Sequence, residues 1–231
     1  MPTSVRDLVE DIANLPGDWH GAGTVNRGVL QAIVSFAEKA GGIRHSVETG
    51  SGRTTLLFSQ LSDHHVVFAV DAGQSISQVR NSHLFKAAST TFVEGPTQRT
   101  LPRHTFAYRH DVILIDGPHG YPFPDLEYYY LYPTLQTGGL LILDDIQIPS
   151  IARMFDILKA DDMFELVEVV DGNTAFLKRT DAPLIDPDSD SWWLQGYNRP
   201  YYQQLIPQTQ PARRISPLFR RILRIFHFSR T

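Results

Sequence analysis

The chain turns on Ser46-Val47-Glu48-Thr49-Gly50-Ser51-Gly52-Arg53-Thr54-Thr55-Leu56-Leu57-Phe58, followed shortly by Val66-Val67-Phe68-Ala69-Val70-Asp71. This reads as strand, tight glycine turn, helix and strand. Gly50 and Gly52 allow a sharp turn and a close backbone approach to a ligand, which a Cβ would obstruct. The helix that opens around Thr54 directs its free N–H groups at that turn. Asp71 ends the second apolar strand, where a carboxylate can accept hydrogen bonds from a ribose diol. Such an arrangement binds a nucleoside-bearing cofactor.

The glycine spacing narrows the ligand. A dinucleotide fingerprint needs a third glycine for close helix packing, but Leu56 stands in that region. A dehydrogenase therefore ranks last. Glu48, before the first glycine, would repel a pyrophosphate and suits a cationic ligand such as a sulfonium with an amino-acid tail. On these residues the segment resembles the cofactor loop of class I S-adenosylmethionine-dependent methyltransferases. The resemblance implies that Glu48, Gly50, Ser51, Gly52 and Thr54 surround the amino-acid end of the cofactor and Asp71 its ribose. A purely structural turn in another α/β domain is the competing reading.

Composition bounds the rest. At 231 residues the chain is long enough for one well-buried domain with appendages. A net charge of -4 argues against nucleic-acid binding through the whole surface. There is no cysteine, which excludes a disulfide framework and a thiolate metal site. The first residues carry Asp7, Glu10 and Asp11 and do not read as a signal peptide. No apolar run reaches the roughly 20 residues of a membrane-spanning helix. A cytoplasmic protein is the expectation.

Along the chain, Val5, Leu8, Val9 and Ile12 have the spacing of one helical face, which Pro16-Gly17 ends. A second helix is expected from about Arg27 to Ala40, capped by Thr24 or Asn26 and closed by Gly41-Gly42. The loop between, Asp18 to Gly23, reads as a surface loop that in this fold could also cover a substrate pocket. Further helices are expected at Ser75–Ala88, Pro122–Leu135 and Ile151–Ala160, with strands at Thr90–Glu94, Asp111–Asp116 and Gly138–Asp145. Phe164–Val170 and Thr174–Lys178, joined by Asp171-Gly172-Asn173, predict a hairpin with a positive-φ turn.

Continuous apolar strands alternating with helices predict a mostly parallel sheet covered on both faces. The fold class expected is α/β and Rossmann-like. Seven strands with a closing antiparallel hairpin is what the resemblance to class I methyltransferases implies. The expected division is a helical cap at 1–41, the cofactor domain at 42–180, and a Pro/aromatic segment with a basic tail at 181–231.

A second constellation sits at the strand ends. Asp116-Gly117-Pro118-His119-Gly120-Tyr121 follows one strand, and Asp144-Asp145 ends the next. Ligands of open α/β sheets bind beyond those ends, so the three carboxylates should converge near Gly50. Clustered carboxylates repel unless protonated, solvated or bridged by a cation. Oxygen donors suit a hard divalent ion, magnesium first. The plainer alternative is that Asp144 and Asp145 cap the next helix or are solvated. Glu94, at the end of another strand, reads equally as a cofactor ligand or as a solvated loop residue.

Asp-Gly-x-His-x-Tyr, a long helix, then Gly-Gly-x-x-x-x-Asp-Asp is similar to the metal-dependent small-molecule O-methyltransferases, the macrolide-sugar branch in particular. The resemblance implies magnesium at Asp116, Asp144 and Asp145, His119 as general base, and a small-molecule hydroxyl as acceptor. The resemblance does not extend to the extra N-terminal domain of the macrolide enzymes, so the acceptor stays open. Two alternatives are a metal-independent methyltransferase of the same fold and a non-catalytic relative held to a membrane by its tail. In that tail Leu218, Phe219, Ile222, Leu223, Ile225 and Phe226 share one helical face, opposite Arg220, Arg224 and His227. An anionic membrane surface could take such a face through residues 212–231. Docking on the protein's own body or on a second subunit is the expectation.

Overall fold

The computed structural model describes residues 4–17, 19, 25–185 and 190–206. The tail, 212–231, and most of the loop from Asp18 to Gly23 lie outside them, so the expectations for both rest on sequence. The chain divides into two units, Met1–Ser191 and Trp192–Thr231.

The first unit runs α1 (Val5–Ala13), α2 (Arg27–Ala40), β1 (Ile43–Thr49), α3 (Arg53–Leu61), β2 (Ser62–Ala69), α4 (Ser75–Asn81), β3 (Thr90–Glu94), α5 (Thr97–Thr100), β4 (His110–Ile115), α6 (Phe123–Leu131), β5 (Leu135–Leu143), α7 (Pro149–Leu158), β6 (Phe164–Val170) and β7 (Thr174–Arg179). Its seven strands form one sheet in the order β3-β2-β1-β4-β5-β7-β6. β1 to β5 pair in parallel, and β7 runs antiparallel to both β5 and β6. This is the expected Rossmann-like sheet with its closing hairpin. Asp171 and Gly172 take the positive φ values, 52° and 72°, that the hairpin turn requires.

The apolar strands are continuous because both sheet faces are covered. Val112, Leu114, Leu140, Ile142 and Phe176 face a core shared with α1, α2 and α3. Ile113, Ile115, Leu141, Leu143 and Leu177 face the opposite core, which takes Leu131 from α6 and Ile151, Met154 and Leu158 from α7. Leu8, Val9 and Ile12 of α1 are buried in the first of these cores, so the N-terminal helices pack with α3. Val5, expected on the same face, is 40% exposed.

Several boundaries differ from the sequence reading, three of them for a plain local reason. α4 stops at Asn81, where Ser82 turns extended and its hydroxyl accepts from the Leu84 N–H. Such a side chain offers the backbone an alternative to the helix. α6 ends at Leu131 because Pro133, two residues on, cannot supply a helical N–H. β5 begins at Leu135 rather than Gly138, since Leu135 already pairs with His110 and the Gly138-Gly139 pair sits in an irregular stretch of the register.

Parallel pairing puts the carboxyl ends of β1 to β5 along one edge. Thr49 is in register with Phe68 and Ile115, and Ile115 with Leu143. The segments beginning at Gly50, Val70, Gly95, Asp116 and Asp144 therefore emerge side by side. Across β1 the connection must turn sharply. Gly50 has φ 88°, and a Cβ there would lie 2.3 Å from the Asp116 carbonyl oxygen.

The described part of the second unit is short. Trp192 and Trp193 pack on Tyr202 of α8 (Arg199–Leu205), the rings 5.6 and 6.1 Å apart.

Candidate active site

Those five strand ends frame a cavity of about 620 Å³, the size of a small-molecule cofactor site. Gly50 to Thr54 line it after β1, Val70 and Ala72 after β2, and Gly95 to Gln98 after β3. Asp116 to His119 line it after β4, and Asp144 and Asp145 after β5. The glycine turn and the acidic loops thus meet in one space, as the strand-end argument expected.

Three of the expected cofactor residues do not line it. Glu48 is buried, and its carboxylate accepts from Thr54 Oγ1 at 2.7 Å and from Thr55 Oγ1. His65 Nε2 stands 3.1 Å from the same carboxylate. Thr55 Oγ1 in turn accepts from the Gly52 N–H at 3.0 Å. Glu48 is turned into the start of α3 and sets the glycine turn from beneath, where it was expected to face the ligand directly. Glu94 points outward to Arg80, 2.7 Å away. Asp71 sits at the rim between Val70 and Ala72. Its carboxylate accepts from the N–H and hydroxyl of Ser77, and those bonds hold its pKa below the usual carboxylate value. A carboxylate has about four acceptor positions, so a ribose diol can still be met there. Tyr121, 79% exposed, does not line the cavity.

The second constellation assembles with one change of partner. One ligand atom from each of Asp116, His119 and Asp145 lies within 4.8 Å of the others. His119 Nε2 is 3.1 Å from Asp145 Oδ2 and 3.8 Å from Asp116 Oδ1. Asp144 lines the same cavity, but its Oδ1 is taken by the Thr174 hydroxyl. The converging set therefore contains His119 where the sequence reading had Asp144. Burial pushes the Asp116 carboxyl up to about 7, against the pull of His119 and with a further rise from Asp144. Burial also raises Asp144. Asp116, followed by Asp145 and Asp144, raises the His119 pKa, while burial opposes them. The Asp116 and Asp145 carboxylates at this spacing, with His119 beside them, fit a divalent cation, whose charge would offset theirs.

A further carboxylate, Glu127 on α6, escaped the sequence reading. It is 0% exposed. Thr49 Oγ1 donates to Glu127 Oε2 at 2.7 Å and accepts from the Asp116 N–H at 3.1 Å. Glu127 thereby holds the end of β1 and the start of the Asp116 loop through one hydroxyl. The fit is close, since a Cβ on Gly117 would lie 2.0 Å from Glu127 Oε1. Burial lifts its pKa from the ordinary 4.5 to about 7, with the facing Thr97 and Thr49 hydroxyls pulling the other way. Between those values the folded protein holds a proton that the unfolded chain releases, so folding stability falls as pH rises through that window. Glu127→Gln removes this titration. Urea unfolding at pH 5 and pH 8 should show a smaller loss of stability for the variant than for the wild type, by about 1–3 kcal/mol.

Comparison with known proteins agrees with this geometry. Residues 47–146 match the family model of a methyltransferase domain. No curated protein matches the chain. Among solved structures, the O-methyltransferase NovP is similar over 74% of this chain and 88% of its own, at 21% identity and TM-score 0.57. The O-methyltransferase TomG of Streptomyces achromogenes, involved in tomaymycin synthesis and solved with S-adenosylmethionine, is similar over 75% and 89%, at 12% identity and TM-score 0.57. MycE, a methyltransferase of the mycinamycin pathway solved with Mg, S-adenosylhomocysteine and mycinamycin VI, is similar at 14% identity and TM-score 0.51. There the likeness covers 79% of this chain and 57% of MycE.

Proposed function

We propose that the methyltransferase domain carried by this chain moves a methyl group from S-adenosylmethionine to a hydroxyl oxygen of a small molecule, with a divalent cation as auxiliary. The observation that carries the reading is the Asp116–His119–Asp145 cluster lining the same cavity as the Gly50–Gly52 turn. The NovP, TomG and MycE likenesses support it.

In this reading the residues at the strand ends would hold the donor. Gly95 to Gln98 would hold its adenine and Val70 to Ala72 its ribose. Ser51 to Thr54 would hold the amino-acid end, with Glu48 fixing the turn from below. Asp116 and His119 would line the reacting end. His119 Nε2 takes the proton of the acceptor hydroxyl as the oxygen attacks the methyl carbon in line, and the neighbouring Asp145 and Asp116 carboxylates compensate the charge the imidazole gains. The proton leaves through His119 to solvent, and S-adenosylhomocysteine departs. Asp116 and Asp145, with the second oxygen of Asp144 as a further donor, would hold a magnesium ion, which would supply orientation of the acceptor and a lower hydroxyl pKa.

The 3.1 Å His119–Asp145 contact favours one alternative, a metal-independent enzyme in which this pair is a base and its orienting acid. Incubation with S-adenosylmethionine and a panel of diols, catechols and glycosides tests both readings. Mass-detected O-methyl product that vanishes with excess chelator supports the first. Product that survives chelation supports the second, and methylation of nitrogen alone overturns both.

A further inference from the structure

With Glu48 turned into α3, the charge beside the glycine turn is positive. Arg53 opens α3, and among the described residues it is the only lysine or arginine lining the cavity. It is 9% exposed. Its Nη2 donates to two neutral acceptors, Leu15 O at 2.6 Å and Pro16 O at 3.3 Å. Among the described residues it takes part in no ion pair, and its Nε is buried without a hydrogen-bond partner. Burying a guanidinium against neutral groups is unfavourable, and burial accordingly lowers its pKa. Two residues earlier, Ser51 Oγ lines the same cavity and is also buried without a partner.

An unpaired cation, an unpaired hydroxyl and the first turn of a nine-residue helix surround one corner of the cavity. That combination recognises a carboxylate. Asp116, Asp144 and Asp145, which line the same cavity, would repel one. We propose that Arg53 and Ser51 bind the carboxylate of the amino-acid tail of the methyl donor. The proposal rests on the donor reading above. It also reverses the sign of the sequence argument: the turn is matched to the anionic group of the tail rather than to its sulfonium.

Calorimetric titration of the full chain with two ligands tests it: S-adenosylhomocysteine, and its decarboxylated analogue, which lacks only the carboxylate. Arg53→Gln should weaken S-adenosylhomocysteine by about 10- to 100-fold, the worth of a charged hydrogen-bonded contact. It should leave the analogue within about 3-fold. Ser51→Ala, which disturbs no bond to Leu15 or Pro16, should weaken S-adenosylhomocysteine alone by about 2- to 10-fold. Equal weakening of both ligands in both variants overturns the proposal, since Arg53 would then act only by pinning Leu15 and Pro16. Unchanged affinity for S-adenosylhomocysteine in both variants also overturns it. If the wild type binds neither ligand, the donor reading itself fails, an outcome distinct from either of these.

Discussion

Replacing His119 with alanine should lower single-turnover methyl transfer by about 10²- to 10⁴-fold, the usual contribution of a general base. Binding of S-adenosylhomocysteine should change by no more than a few-fold, because the residue touches the reacting end of the cavity. Its Nε2 faces two carboxylates at 3.1 and 3.8 Å, yet makes no hydrogen bond among the described residues. The base must be neutral to accept a proton, and the neighbouring carboxylates favour its charged form. Turnover should therefore climb with pH through a limb above the ordinary imidazole value of 6.5, and that limb should be missing in the variant. A wild-type rate and profile in His119→Ala would make the residue structural.

Asp145→Asn should be nearly as damaging, with turnover falling by about 10²-fold or more. That corresponds to the several kcal/mol that a bound cation supplies. The variant would lose both a member of the converging set and the partner of His119. Asp144→Asn should cost less, because one oxygen of Asp144 is already committed to Thr174. The sequence treats these adjacent aspartates as equivalent, and the structure separates them. Magnesium restored after chelation should rescue the wild type and fail to rescue Asp145→Asn. Full wild-type activity in excess chelator would leave the metal-independent reading in its place.

The sheet was legible because parallel strands covered on both faces leave unbroken apolar runs, as in Val112 to Ile115 and Leu140 to Leu143. The strand-end rule placed Asp116, Asp144 and Asp145 at one cavity without any knowledge of distances. Side-chain direction was not legible. Glu48 and Thr49 are adjacent in β1, and their alternation sends Glu48 toward α3 and Thr49 toward Glu127. Nothing in the residue types distinguishes a carboxylate that touches the ligand from one that holds the turn. Glu94 was likewise visible as a strand-end acid, but its partner Arg80 lies on a different element.

Glu127 did leave a signal. Pro124, Glu127 and Leu131 share the buried face of α6, so helical spacing places an acid on an apolar stripe, where it needs a partner. The aromatic run Tyr128-Tyr129-Tyr130 follows it directly. Tyr128 stacks on Tyr132 at 4.8 Å and packs into the core, and none of the three lines the cavity.

The most direct test of the account is calorimetric titration of the wild-type chain with S-adenosylhomocysteine, in magnesium and in chelator. The account predicts saturable binding of one ligand per chain in both conditions. On this reading the donor contacts would come from the β1, β2 and β3 ends, and the cation would belong to the acceptor side. Absence of binding in both conditions would contradict it, because the cavity beside Gly50 would then not be a methyl-donor site.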